Sequence, residues 1–69
     1  MGRWKVKSVT MIQDERGCRV ELEHDNGFIV IMPAINRIWM KRCAKEIAIS
    51  EHAPIFNVKS NGTKVECKL

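Results

Sequence analysis

The sequence predicts a small α+β domain in which one amphipathic helix packs on a small antiparallel β-sheet, in the element order β-β-β-α-β-β. Two Asn-Gly dipeptides, at residues 26–27 and 61–62, each lie between apolar runs, which is a strong hairpin signal. Only the stretch from Pro33 to Ser50 keeps a helical period over a useful length. With 69 residues, the chain is expected to form one domain over residues 1–69.

The first predicted strand covers residues 3–12, which alternate between two faces. The apolar preference changes sides between Val6 and Val9, so we expect a twist or a β-bulge there. Residues 13–17, with the sequence QDERG, predict the turn that follows.

The next two strands are predicted at residues 18–24 and 28–32, joined by a hairpin. We expect a three-residue loop at 25–27, which would place Leu22 opposite Val30 and Val20 opposite Met32. The alternative is a two-residue loop, which would shift this register and place Leu22 opposite Ile31. The second strand, FIVIM, is apolar on both faces. It therefore predicts a central strand covered on both sides, or a strand covered on one side and paired in a dimer.

The helix begins either with Pro33 in its first turn or after Asn36 as its N-cap. A competing interpretation ends the helix near Ala44 and makes residues 46–50, which also alternate, a strand. The predicted apolar face consists of Ile35, Trp39, Met40, Cys43, Ala44 and Ile47.

Residues 55–59 and 63–69 form the last predicted hairpin, around residues 60–62. A two-residue turn at 61–62 would place Val58 opposite Val65 and Phe56 opposite Cys67, with all four side chains directed inward. Asn57 would then face outward.

The helix face opposite the apolar one is basic, with Arg37, Lys41 and Lys45 spaced four residues apart and Arg42 at its border. Like charges at this spacing repel each other, so the pattern favours an anionic partner. A solvated charged face is the plainer alternative. The net charge of +4 agrees with either interpretation.

Catalytic and metal-binding patterns are missing from the sequence, so we expect no enzyme activity, no cofactor and no metal. The three cysteines, Cys18, Cys43 and Cys67, fall at apolar positions and match no zinc spacing. His24 and His52 are expected to be surface or turn residues. Because no segment is long and apolar enough for a membrane span or a signal peptide, the interpretation is a cytoplasmic protein without membrane contact.

These observations favour a small nucleic-acid-binding module that contacts phosphates. The predicted contact residues are Arg37, Lys41, Arg42, Lys45, Arg3, Lys5 and Lys7. A three-stranded sheet followed by a helix resembles, in architecture, the DNA-binding domains of tyrosine integrases and plant ethylene-response factors. Glu21 and Glu23 on the exposed sheet face depart from their mode of binding.

The alternative is a small protein-binding regulator, inhibitor or accessory subunit of the kind that phages and plasmids encode. Its basic helix would meet an acidic protein surface, and the FIVIM strand or the last hairpin would pair with a partner or with a second copy as a homodimer. A chain of this length builds only a small core, which makes self-association an open alternative.

Overall fold

The computed structural model describes residues 5–59 and 61–67 and shows one helix on one face of a five-stranded sheet. The sheet order is β3-β2-β1-β4-β5. Both the α+β class and the predicted element order are confirmed. The elements are β1 (Val6–Asp14), β2 (Gly17–His24), β3 (Ile29–Ala34), α1 (Arg37–Glu51), β4 (Ile55–Val58) and β5 (Lys64–Cys67).

The sheet is mixed, so the prediction of a purely antiparallel sheet is wrong. β4 pairs with β1 in parallel, with Val9 opposite Ile55 and Met11 opposite Asn57. The reason is topological. Two hairpins make β1 and β3 run the same way, and the helix then carries the chain back before β4 begins. β4 therefore runs in the direction of β1, next to which it lies.

The predicted irregularity in β1 is confirmed as a β-bulge at Lys7, since the pairing with β2 shifts between Val6 and Ser8. Beyond the bulge, Val9 and Met11 point into the core and are almost fully buried. Val6 also packs against that core, so the extra residue lets apolar side chains on both sides of it face the helix. β1 continues to Asp14, and the turn is shorter than predicted.

The β2–β3 hairpin has the predicted register, with Leu22 opposite Val30 and Val20 opposite Met32. Its loop is the three-residue one, closed by a 2.8 Å bond from the His24 N–H to the carbonyl of Phe28. Gly27 has a φ of 87°, which favours glycine. Of the two alternatives predicted for this strand, the central position is wrong, because β3 forms an edge of the five-stranded sheet.

The predicted register of the last hairpin is wrong by one residue. Asn57 lies opposite Val65, and Ile55 lies opposite Cys67. The Lys59 N–H donates to the carbonyl of Thr63 at 2.9 Å, which leaves a three-residue loop. A one-residue shift moves each side chain to the other face. Phe56 and Val58 therefore face away from the helix, whereas Asn57 and Val65 lie on the helix side.

The helix has well-formed caps at both ends. The Asn36 side chain accepts a 3.0 Å bond from the Trp39 N–H, which fixes the N-terminus and excludes the longer helix that starts at Pro33. His52 adopts the left-handed conformation, with a φ of 52°, and Ala53 donates to the carbonyl of Ala48 at 3.0 Å. Residues 46–50 lie within this helix, so the strand alternative is wrong.

The helix docks on the sheet through a narrow stripe of Met40, Ala44 and Ala48, which are at most 2% exposed. The predicted apolar face is only partly correct, because Ile35 is 89% exposed and Trp39 is 47% exposed. Ile35 precedes the helix, so the helical period does not apply to it. The one helix in the described residues falls short of the length and apolarity that a membrane crossing requires.

Candidate nucleic-acid interface

An open groove of about 1290 Å³ lies beside the helix, at the end of the sheet where the C-termini of β1 and β4 lie. The carboxyl ends of these two parallel strands meet there, together with the first turns of α1 and the β1–β2 turn. Met11 and Met40 line the groove on its apolar side. Ligands often bind where parallel strands end near a helix N-terminus, which makes this groove the candidate site.

Cations from separate segments line this groove. The helix contributes Arg37 and Lys41, the β1–β2 turn contributes Arg16, and the residue after β4 contributes Lys59. All four are exposed. No ion pair joins any of them to a carboxylate within the described part of the chain. Their charge is therefore available to a ligand.

The fifth cation of the groove, Arg19, is neutralised within the protein. Its Nη1 donates a 2.8 Å bond to Oδ2 of Asp14, and its Nε lies 3.5 Å from Glu21. Asp14 also accepts the Arg16 N–H at 2.9 Å, which holds the turn in shape. The bond from Arg19, followed by that from Arg16, lowers the pKa of the Asp14 carboxyl below its ordinary value of 3.8. Glu15 is the remaining carboxylate in the groove lining.

The helix dipole adds to the positive potential of the groove. Acidic residues usually lie near the N-terminus of a helix and basic residues near its C-terminus. α1 has no acidic residue in its first turn and no basic residue in its last turn, so it lacks this arrangement. Arg37 is the first residue of the helix, where the exposed N–H groups already carry partial positive charge. Helix stability therefore does not explain the placement of these cations.

The structure divides the predicted contact residues among three places. Arg37 and Lys41 line the groove. Arg42 and Lys45 are exposed but are not part of its lining, and the guanidinium of Arg42 lies 5.7 Å from the centre of the Trp39 ring.

Lys5 and Lys7 lie at the start of β1, roughly 20 Å or more from its carboxyl end at 3.3 Å per residue. Arg3 lies outside the described residues. A single ligand at the groove would thus meet two of the six predicted residues that the structure describes.

Sequence reasoning missed Arg16 and Lys59, which share the groove with Arg37 and Lys41. Both follow strand ends in the chain, where a basic residue is unremarkable. Only the sheet order, with β4 beside β1, brings them together. The sequence does show a basic residue next to each of these two turns. These residues indicate a shared site only when the strand order is known.

The face of the sheet away from the helix, hereafter the open face, is not basic. Glu21 and Glu23 lie on it, and Glu23 accepts a 3.3 Å bond from Ser8. The architectural resemblance to sheet-based DNA-binding domains is therefore not matched by charge. Among the residues that the structure describes, no group of His, Cys, Asp and Glu could hold a metal, and the three cysteines are free and partly buried.

Comparison of the chain with protein-family models, curated proteins and solved structures found no match.

Proposed function

We propose that this protein is a small, non-enzymatic nucleic-acid-binding module whose groove holds a phosphate backbone. One observation supports the proposal most strongly: Arg16, Arg37, Lys41 and Lys59 come from three separate segments and line the same groove, and none of them forms an ion pair with a carboxylate of the described residues. An arginine fork binds phosphate oxygens in pairs, and a lysine adds a mobile point charge. The groove suits a chain of phosphates because its cations are spread over several elements.

The expected binding is strongly dependent on salt and weakly dependent on sequence. Phosphate contacts release counterions, so the logarithm of the binding constant falls with the logarithm of salt concentration by about 0.9 per contact for duplex DNA and about 0.7 for single strands. Four contacts therefore predict a slope of about −3 to −4. Phosphate contacts position a ligand but carry no base information, so specificity is not part of the proposal.

The test is a titration of fluorescently labelled duplex and single-stranded DNA and RNA with the protein at several salt concentrations. The groove variant Arg37→Gln/Lys41→Gln should bind more weakly and reduce the slope by about two. The control variant Arg42→Gln/Lys45→Gln removes the same charge from the same helix outside the groove, and it should keep most of the slope. Circular dichroism should show that both variants are folded.

Two results would overturn the proposal. One is an absence of binding by the folded wild type at low salt. The other is an equal loss in the groove variant and the control variant, because net charge alone would then account for the binding.

A second candidate function is protein binding, and the solvent side of the helix favours it. Ile38 and Ile49 are 75% and 56% exposed on this side, close to Arg42 and Lys45 in the helical period. Apolar side chains with a basic border suit an acidic protein surface. This function predicts binding to a purified protein that added nucleic acid does not displace and that Ile38→Ser/Ile49→Ser abolishes.

A further inference from the structure

The outer edge of β3 has a backbone that is ready to pair. The bond between His24 and Phe28 marks a hydrogen-bonded pair, and such pairs alternate along an antiparallel ladder. Ile29, opposite Glu23, and Ile31, opposite Glu21, therefore occupy the intervening pairs. Their N–H and C=O groups point away from β2, toward the free side of the sheet.

The side chains of this edge are unusually apolar for an exposed strand. Ile29 is 53% exposed and Ile31 is 58% exposed on the open face, while Val30 is 38% exposed on the helix side. The stretch from Phe28 to Ala34 has no charged residue. Proteins usually protect an exposed edge with charges, and an edge without them is a site for pairing with another chain.

The opposite edge of the sheet follows the usual rule. By the same alternation, Lys64 and Glu66 are the β5 residues whose backbone groups point outward. Their charged side chains lie on the open face, and the Nζ of Lys64 lies 4.6 Å from the centre of the Phe56 ring. The two edges therefore differ in chemistry, and only β3 is suited to a further strand.

We propose that a second copy of this chain pairs along β3 in antiparallel fashion, around a two-fold axis at Val30, and so forms a continuous ten-stranded sheet. In this register the N–H and C=O groups of Ile29 form two hydrogen bonds with those of the partner's Ile31. By symmetry, Ile31 forms the same two bonds with the partner's Ile29. All the outward N–H and C=O groups of Ile29 and Ile31 are then satisfied. The proposal is independent of the basic groove, which is on the β4 side of the helix.

Pro33 selects this register over its neighbour. If Ile31 lay on the axis, Ile29 would face the partner's Pro33, which has no N–H and whose ring would project at the incoming strand. In the opposite shift, Ile31 would face the partner's Gly27, which belongs to the loop and has a φ of 87°. Only the Val30 register uses the regular part of the strand on both chains.

The side chains make a second copy a suitable partner. Around the axis, Val30 meets the partner's Val30, and Phe28 meets the partner's Met32. Ile29 meets the partner's Ile31 on the open face, so no like charges are brought together across the seam. Because the two-fold axis is perpendicular to the sheet, both helices lie on the same face of the ten-stranded sheet.

The helices would also cover the seam. The Lys41 flank of α1 faces β4, so the opposite flank, which carries Trp39, faces β3. Trp39 and residues 28–31 are 38–58% exposed and together expose on the order of 500 Å² per chain. Complete burial of this area on both chains would amount to on the order of 1,000 Å², which is the lower limit for a specific interface.

Sedimentation equilibrium across a wide range of protein concentration tests the association. The wild type should show a monomer–dimer equilibrium, and Ile29→Lys/Ile31→Lys should be monomeric at all concentrations. Ile38→Lys/Ile49→Lys is the matched control, because it adds the same charges at exposed isoleucines outside the seam, and it should dimerise like the wild type. A monomeric wild type, or a dimer that survives in the edge variant, would overturn the proposal.

Disulfide trapping tests the register. In a protein whose three cysteines are replaced by serine, Val30→Cys should form an intermolecular disulfide on oxidation. In the proposed register the two copies of residue 30 form a non-hydrogen-bonded pair, whose Cα atoms lie about 4.5 Å apart. Ile31→Cys should not, since each Ile31 faces the partner's Ile29. Cross-linking through Ile31→Cys, or through neither residue, would contradict a two-fold axis at Val30.

Discussion

Asp14 is the carboxylate that contacts two of the basic residues of the groove, Arg16 and Arg19. It binds the guanidinium of Arg19 and the N–H of Arg16 through its two carboxylate oxygens. One carboxylate thus neutralises the cation nearest the sheet and also shapes the turn that presents Arg16. The Arg16 side chain forms no ion pair with a carboxylate of the described residues.

The contribution of Asp14 to stability should be lost at acid pH. Its pKa in the folded protein lies below the ordinary value of 3.8, so its stabilising effect is complete above the unfolded pKa and disappears as pH falls through the folded pKa. The difference in unfolding free energy between wild type and Asp14→Asn should therefore be constant near neutral pH and shrink below about pH 4. Urea unfolding over a pH series measures this difference.

A nuclear magnetic resonance titration tests whether Arg19 is the cause of the lowered pKa of Asp14. In Arg19→Gln the pKa of Asp14 should rise toward its ordinary value, because the hydrogen bond that lowers it most is removed. If the pKa of Asp14 were the same in the wild type and in Arg19→Gln, the ion pair would not form in solution.

The helix shows how far a sequence pattern predicts an element. Its existence and basic residues follow from the period, and Asn36 was one of the two predicted starts. Its docking face follows only in part. Met40 and Ala44 were predicted to face the sheet and are buried, but Trp39 is 47% exposed, and the buried Ala48 was not predicted. Alanine contributes little to an apolar pattern, yet its small side chain lets the helix lie close to the sheet.

A pair of truncations in α1 checks which face is buried. Met40→Ala removes a side chain that is 2% exposed and should cost about 2–5 kcal/mol of unfolding free energy, from lost burial and the cavity left behind. Ile38→Ala removes a side chain that is 75% exposed and should change stability by about 0.5 kcal/mol or less. Urea denaturation followed by circular dichroism measures both, and equal losses would contradict the docking.

The two hairpins show what limits register prediction. Both loops end in Asn-Gly, both glycines have a φ of 87°, and in both the asparagine side chain accepts an N–H at 3.0 Å. The three-residue loop was predicted for the first hairpin only. In the second, inward apolar pairs favoured the shorter turn, but Phe56 and Val58 lie on the open face. Apolar alternation is a weak guide when both faces carry apolar residues.

At the scale of the whole molecule, β1 is the centre of the sheet. It pairs with β2 on one side and with β4 on the other, and its Val9 is fully buried. The sequence could not predict this order, because nothing local distinguishes docking of β4 beside β1 from docking beside β3. The groove depends on that choice, so only half of its free cations, Arg37 and Lys41, were predicted.

Hydrogen exchange should report both this centre and the difference between the two edges. Amides of β1 should exchange slowest, because their strand is paired on both sides under the helix. The outward amides of Lys64 and Glu66 on β5 should exchange fast at every protein concentration. Those of Ile29 and Ile31 should slow as concentration rises, since pairing of β3 with a second copy would bury them. If the amides of both edges exchanged equally fast at high concentration, β3 would be as unpaired in solution as β5.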